Sequence, residues 1–335
     1  MLAFLAAFFI ALAITLAGLP WVRRAALALN LVDAPSQRKA HRTPMPLLGG
    51  VGIFLGAILA VLVIYRGEPE PTVFGVLLAT TVVALTGLID DYRPLPAWAK
   101  LAGQLAGFLI LAAFGVRVRL PLPPVVNYAI TLLWLLGITN AINFLDNMDG
   151  LSAGIAAVIA SFILLLALAN GQFLVAALSA ALLGACLGFL RYNFPPARIF
   201  MGDVGSLFLG FLLAAMGIEP RFPDNSNFVT WMVPIFLFGL PIFDMTLVVV
   251  SRLRRGLSPN TAGRDHTSHR LVRLGFSSRE AVLILYLFCG VLGMMALYIT
   301  QASIVEGYLV GGIAAALALT ALVWLERQWK ESEGT

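Results

Sequence analysis

The sequence predicts an all-α polytopic membrane protein with about eleven transmembrane helices, and three observations predict it. The 335 residues are 60% hydrophobic and 12% charged, where a soluble domain carries about 25% charged residues. Eleven apolar runs approach the roughly 20 residues that a helix needs to cross the hydrocarbon layer. The basic residues also gather in alternate connections, as the positive-inside rule requires.

In order, the runs lie at about 2–22, 47–65, 72–89, 99–115, 125–142, 151–169, 171–190, 204–219, 228–250, 280–300 and 304–325. The first has no basic residues before it, and Arg23 and Arg24 follow it. It therefore reads as a retained helix with the N-terminus outside, not as a cleaved signal peptide. Alternation from that point puts eighteen of the 22 Lys and Arg on the cytoplasmic side and leaves Arg66, Arg117, Arg119 and Arg221 outside. The C-terminus is then cytoplasmic. The net charge of +5 follows from this topology and calls for no nucleic-acid partner. The connections leave little room for a soluble domain, the longest polar one being about 251–279, so residues 1–335 read as one integral-membrane domain. Cys186 and Cys289 lie inside apolar runs and read as small packed hydrophobes. The Gly52/Gly56, Gly184/Gly188 and Gly307/Gly311 spacings read as helix-packing seams.

Five carboxylates break the apolar pattern. Asp90, Asp91, Asp146, Asp149 and Asp203 stand at the rims of apolar runs, where moving a charge toward hydrocarbon costs about 2.5 kcal/mol or more. The topology puts all five on one side, which points to a shared, metal-binding site. Asp90-Asp91 closes the third run; neighbouring carboxylates repel unless a cation is near, although the pair also suits an interfacial turn before Arg93-Pro94. Asn140, Asn143, Asp146 and Asp149 recur every third position, a row that wraps slowly around a helix end and can curve about a ligand. Gly150 permits a positive-φ turn after it. Gly202 and Gly205 flank Asp203 and allow close approach by oxygen ligands, while Ser206 and nearby N–H groups sit where a helix N-terminus would favour an anion.

Asn193 precedes Pro195-Pro196, and Lys100 follows the Asp pair. Lys39, His41 and Arg42 precede Pro44-Met-Pro46-Leu-Leu-Gly49-Gly50. His266 and His269 stand among Arg252, Arg254, Arg255, Arg264 and Arg270. No third close N or S ligand accompanies the histidines, so they read as phosphate donors and not as a zinc site. Asp244, inside the ninth run, reads as pairing with a neighbouring helix or lining the cavity. Oxygen-rich carboxylates favour Mg²⁺ or Mn²⁺, and magnesium is usually held by one or two carboxylates together with substrate phosphates.

Taken in order, these motifs resemble the polyprenyl-phosphate N-acetylhexosamine-1-phosphate transferase superfamily over about residues 33–276. The resemblance rests on Arg38-Lys39-x-His41 with Gly49-Gly50, Asp90-Asp91 with Lys100, Asn143-x-x-Asp146-x-x-Asp149-Gly150, Phe200-Met-Gly-Asp203-x-Gly205-Ser206, Pro241-x-x-Asp244 and Asp265-His266-x-x-His269. Eleven spans and an external N-terminus look like the undecaprenyl-phosphate GlcNAc-1-phosphate transferase branch. The resemblance implies Mg²⁺-dependent transfer of a HexNAc 1-phosphate from a UDP-sugar to undecaprenyl or another polyprenyl phosphate, with release of UMP. It places the reaction at the cytoplasmic face of the bacterial inner membrane and allows a homodimer.

By motif, Asp203 corresponds to the principal metal ligand, Asp90 to the base for the lipid phosphate, and Asp91 to its partner and a second metal ligand. Asn143, Asp146 and Asp149 would surround the nucleotide-sugar, Lys100, Asn193 and His266 would lie near its diphosphate or uracil, and Lys39 and His269 would also bind substrate. One departure stands out: Ser268 replaces a histidine that many members carry, which argues against the phospho-MurNAc-pentapeptide translocase branch. That branch remains the nearest alternative. An ion-coupled transporter, with the acids relaying ions, is the alternative from another class.

Overall fold

The structure, a computed structural model, describes residues 1–33, 44–65, 70–261 and 263–333. It is mostly helical: α1 (Leu2–Ala28), α2 (Gly49–Ile64), α3 (Pro71–Tyr92), α4 (Ala97–Ala113), α5 (Pro124–Phe144), α6 (Leu151–Ala169), α7 (Phe173–Asn193), α8 (Gly202–Gly217), α9 (Asn227–Thr230), α10 (Met232–Leu237), α11 (Gly239–Arg254), α12 (Thr267–Arg273), α13 (Ser278–Ile299) and α14 (Ile304–Glu333). One short antiparallel pair joins β1 (Val32–Asp33) to β2 (Met45–Pro46). All eleven apolar runs coincide with helix. Among the described residues, seven helices are long and apolar enough to cross a membrane, while α2, α4 and α8 are apolar but shorter. The protein is a multi-pass helical membrane protein.

The ninth run differs from the expected single helix. It breaks between Leu237 and Gly239, and the two parts are bent by 67°. Pro234 and Pro241 flank the break; each lacks an N–H donor and crowds the preceding turn, a common cause of sharp kinks.

The chain forms two compact units, Met1–Arg221 and Phe222 onward. In the first, α1 packs on α2 and α7, α3 on α4, and α6 on α7, with α8 against α2, α3, α5 and α6. Every residue of α8 from Val204 to Gly217 is buried. A helix apolar on all sides belongs inside a bundle, and here that places the start of α8, with Asp203, at one end of the unit's core. The Gly52/Gly56 and Gly184/Gly188 seams admit α1, because a Cβ at Gly56 or Gly184 would strike Thr15 or the Phe8 carbonyl. In the second unit α13 packs on α10, α11 and α12, and α14 on α9 and α11. Gly307 and Gly311 face Val229 and Met232. Cys186 and Cys289 are both free and buried.

Candidate functional site

The acidic cluster of the first unit forms where α3, α4, α5 and α8 meet. α3 ends at Tyr92, and Asp90 helps to stop it: its Oδ1 accepts the Leu95 N–H at 2.7 Å. Asp91 reaches the first turn of α8 instead. Its Oδ1 accepts from Asp203 N–H at 2.7 Å and its Oδ2 from Val204 N–H at 3.0 Å. Those are orphan donors at a helix N-terminus, where negative charge is favoured. The anion that the sequence leads one to expect at this helix end is therefore the protein's own carboxylate. Gly202 makes the approach feasible: its φ is +74°, and a Cβ there would lie 2.5 Å from Asp91 Oδ2. Gly87, one helical turn before Asp91, lets the Asp203 backbone come equally close.

Lys100, in the first turn of α4, bridges two acids. Its Nζ donates to Asp203 Oδ2 at 2.7 Å and to Asp90 Oδ2 at 3.3 Å. Asn143 closes the other side of Asp203, donating to Oδ1 at 3.1 Å and to Ser206 Oγ at 2.8 Å. The Ser206 hydroxyl in turn donates to the Gly202 carbonyl. Asp203 thus receives hydrogen bonds from an ammonium and an amide while its side chain stays 24% accessible.

Beyond Asn143 the helix gives way to a turn, and Gly150 takes φ +76°, the turn conformation expected of it. Asp146 on this turn reaches the surface, yet protein crowds it closely. That enclosure, and then the charges of Asp203, Asp91 and Asp149, push its carboxyl up to about 8. Mutual repulsion of this kind is what a bound cation relieves.

Two residues expected at the substrate brace the loops. The Asn193 carbonyl accepts from Gly150 N–H at 2.8 Å, and its amide donates to the Ile199 carbonyl at 2.9 Å. Asp149 Oδ2 accepts from Ala197 N–H at 2.9 Å. Together they tie the 145–150 turn to the segment leading into α8. A second set of backbone bonds steadies that segment: Gly49 and Gly50 donate to the Phe200 and Met201 carbonyls, and Phe200 N–H to Pro46. The Pro46-to-Gly50 motif is thereby a clamp on the Asp203 loop. Lys39, with Arg38, His41 and Arg42, lies outside the described residues.

The second unit holds the histidines. Asp244, fully buried on α11, accepts from Thr267 N–H at 2.7 Å and pairs with His266 Nδ1 at 2.8 Å. His269 lies one turn further along α12, its ring centroid 6.2 Å from that of His266. Burial, and then the positive surroundings of His266 and Arg264, lower His269 to about 4. It is therefore neutral at pH 7, and any hydrogen bond it gives to a phosphate comes from a neutral imidazole. Arg252 is not the solvated loop arginine that a positive-inside reading suggests: it is buried and grips Asp265 with two bonds of 2.8 and 2.9 Å. Burial alone would raise the Asp265 carboxyl, but the hydrogen bonds and charge of Arg252 hold it below the usual range.

Sequence reasoning passed over Gln104, whose side chain pairs with Asn140 at 2.9 Å. The available signal was a polar residue four positions after Lys100, on the same face of an apolar helix. Glu326, which pairs with Arg270 at 2.6 Å, was passed over as well, because a lone acid just past an apolar run looks like an ordinary helix end.

Among the described residues, no three His, Cys, Asp or Glu side chains form a protein-only metal cage.

The profile described as glycosyl transferase family 4 matches residues 73–220, which include Asp90, Asp91, Lys100, Asn143 and Asp203. A probable undecaprenyl-phosphate N-acetylglucosaminyl 1-phosphate transferase of Bacillus subtilis (strain 168) is 34% identical over 315 residues, covering 91% of this chain and 87% of the relative. The chain belongs to the polyprenyl-phosphate N-acetylhexosamine-1-phosphate transferase superfamily. A decaprenyl-phosphate N-acetylglucosaminephosphotransferase of Mycobacterium tuberculosis (strain ATCC 25618 / H37Rv) is 34% identical over 82% of this chain and 77% of the relative. An undecaprenyl-phosphate alpha-N-acetylglucosaminyl 1-phosphate transferase of Escherichia coli (strain K12) is 26% identical over 83% and 80%. All three relatives are named for the GlcNAc branch. As a member of this superfamily the protein is an enzyme, a membrane phosphotransferase.

Proposed function

We propose that this enzyme transfers N-acetylglucosamine 1-phosphate from its UDP-sugar to undecaprenyl phosphate or a similar polyprenyl phosphate, releasing UMP. The observation that carries the reading is the convergence of Asp90, Asp91 and Asp203, from two helices distant in sequence, about one lysine. Such a cluster suits a diphosphate brought in with a divalent cation, and the names of the relatives supply the sugar and the lipid.

The donor set fits Mg²⁺. Every candidate ligand is a hard oxygen, and the Lys100 ammonium between Asp90 and Asp203 marks a place where positive charge is held. Magnesium is commonly held by one or two carboxylates together with substrate phosphates. Asp203, with Asp90 beside it, would hold the ion. Asp91, expected as a second ligand, already bonds two backbone N–H groups, and we assign it to positioning Asp203. When bound, the ion supplies charge neutralisation at the diphosphate.

The chain's own residues carry the rest. Asp90 takes the remaining proton of the lipid phosphate, whose second ionisation lies near pH 6, so that a phosphate oxygen attacks the phosphorus bearing the sugar. A new P–O bond joins lipid phosphate to sugar phosphate, the bond from that phosphorus to the bridging oxygen breaks, and UMP departs with the oxygen. Lys100 neutralises charge on the phosphates during transfer. Asn143 keeps Asp203 oriented, and Asn193 and Asp149 keep the surrounding turns in place. His266 and His269 are assigned to the UDP-sugar by the family resemblance.

In the membrane we read the eleven apolar helical runs as eleven crossings of the bacterial inner membrane. The N-terminus is then outside, and the C-terminus and the carboxylate cluster face the cytoplasm. The broken ninth run is a feature that an ion-coupled transporter would share, but the Asp244 beside it is engaged with His266 and Thr267.

The test is UMP release by the purified full-length protein. UDP-GlcNAc, undecaprenyl phosphate and Mg²⁺ should all be required, and a panel of UDP-sugars should show GlcNAc preferred. Turnover without the lipid phosphate, or a preference for another sugar nucleotide, would overturn the assignment.

A further inference from the structure

The second unit contains a chain of buried charges whose far end no part of the proposed reaction uses. Arg252, Asp265, Arg270 and Glu326 are each less than 5% exposed. Arg270 employs its whole guanidinium: Nη2 bonds Glu326 Oε1 at 2.6 Å, Nη1 the Leu325 carbonyl at 2.7 Å, and Nε the Asp265 carbonyl at 2.9 Å. The Trp329 ring lies 4.9 Å from the same guanidinium, 5.7 Å from that of Arg255 and 3.7 Å from that of Arg273. Asp265 is meanwhile gripped through its carboxylate by Arg252 and Arg255.

The residue directly before His266 is therefore held twice, by its side chain from α11 and by its carbonyl through Arg270. The last turns of α14 fix Arg270 in turn. Burying so many ions costs several kcal/mol each before pairing, and apolar residues of similar size often stabilise a fold as well. What a fully bonded network adds is a single conformation. The segment so constrained carries His266 and His269.

We propose that Glu326 and Trp329 are positioning residues, which lock Arg270 and so hold the Asp265–His269 segment in the orientation that receives the UDP-sugar. This rests on the assignment of His266 and His269 to the donor substrate. It makes the end of α14 part of the donor-binding apparatus.

The experiment compares full-length wild type with Glu326→Gln, Trp329→Leu and Trp329→Phe in lipid nanodiscs. For Glu326→Gln and Trp329→Leu, KM for UDP-GlcNAc should rise about tenfold while kcat and KM for the lipid phosphate stay within about twofold, as loss of ground-state binding predicts. Trp329→Phe keeps an aromatic face and should restore most of the donor affinity. Diethylpyrocarbonate, followed by peptide mass analysis, should modify His266 and His269 several-fold faster in the first two variants at a temperature where each remains folded. The proposal is overturned if both variants keep wild-type donor KM and modification rates. It is equally overturned if both lose Tm, kcat and both affinities together, the mark of a merely structural role. If His266→Ala leaves the donor KM unchanged, the assignment of the histidines has failed instead, and the modification rates still report whether α14 holds the segment.

Discussion

The two charged clusters of this protein are built on opposite principles. In the first unit Lys100 bridges Asp90 and Asp203, and Asp91, Asp146 and Asp149 stand close by. Asp90, Asp203 and Lys100 keep 15%, 24% and 27% of their side-chain surface. In the second unit Asp244, Asp265 and Glu326 meet His266, Arg252, Arg255 and Arg270, nearly all buried. The second cluster is balanced within itself and acts as framework. The first keeps Asp90, Asp203 and Lys100 partly accessible, and it is the cluster that the proposed reaction uses.

If that contrast is sound, substitutions should separate activity from stability by cluster. The largest effect is expected for Asp203→Ala, which should lower kcat roughly 10³-fold or more with Tm kept or raised, since it relieves repulsion; UMP release and thermal melting measure the two. Normal turnover in this variant would end the metal assignment. Arg252→Ala should do the reverse, costing about 3–5 kcal/mol of stability by stranding a buried Asp265, visible in denaturation before any kinetic defect is assigned. Gly202→Ala tests how the acids are positioned. A side chain at φ +74° costs about 1–3 kcal/mol and pushes on Asp91, so activity should fall with only a modest shift in Tm.

The smallest effect is a pH dependence. Folded His269 is lowered to about 4 from the ordinary 6.5, so the unfolded chain binds this proton first as pH falls. Its contribution is complete above about 6.5 and is lost progressively toward about 4. Melting curves from pH 7 to 5 should fall less steeply for His269→Gln than for wild type. Equal slopes would remove His269 from the account.

Much of this was legible in the chain. Apolar runs need only composition and length, and each of the eleven is helical. The acids stood out because carboxylates are costly beside hydrocarbon, and Asp90, Asp91, Lys100, Asn143 and Asp203 do come together. Individual roles were less legible. Asn193 and Asp149 read as substrate ligands in sequence, and the fold adds that their bonds brace the neighbouring turns. The helix N-terminus at Ser206 looks like an anion site, yet Asp91 fills it. The ninth run is continuously hydrophobic, yet it bends by 67° between Pro234 and Pro241.

Periodicity, hydropathy and residue chemistry act locally, and together with the motif resemblance they were enough to determine a helical membrane protein, its family and the residues of an acidic cluster. Which carboxylate faces outward and which amide ties two loops depend on partners 43 to 112 positions away in sequence, such as Asn193 with Gly150 or Asp91 with Asp203. Only packing selects among such partners, because every Asp or Asn carries the same bonding capacity until the fold decides what lies beside it.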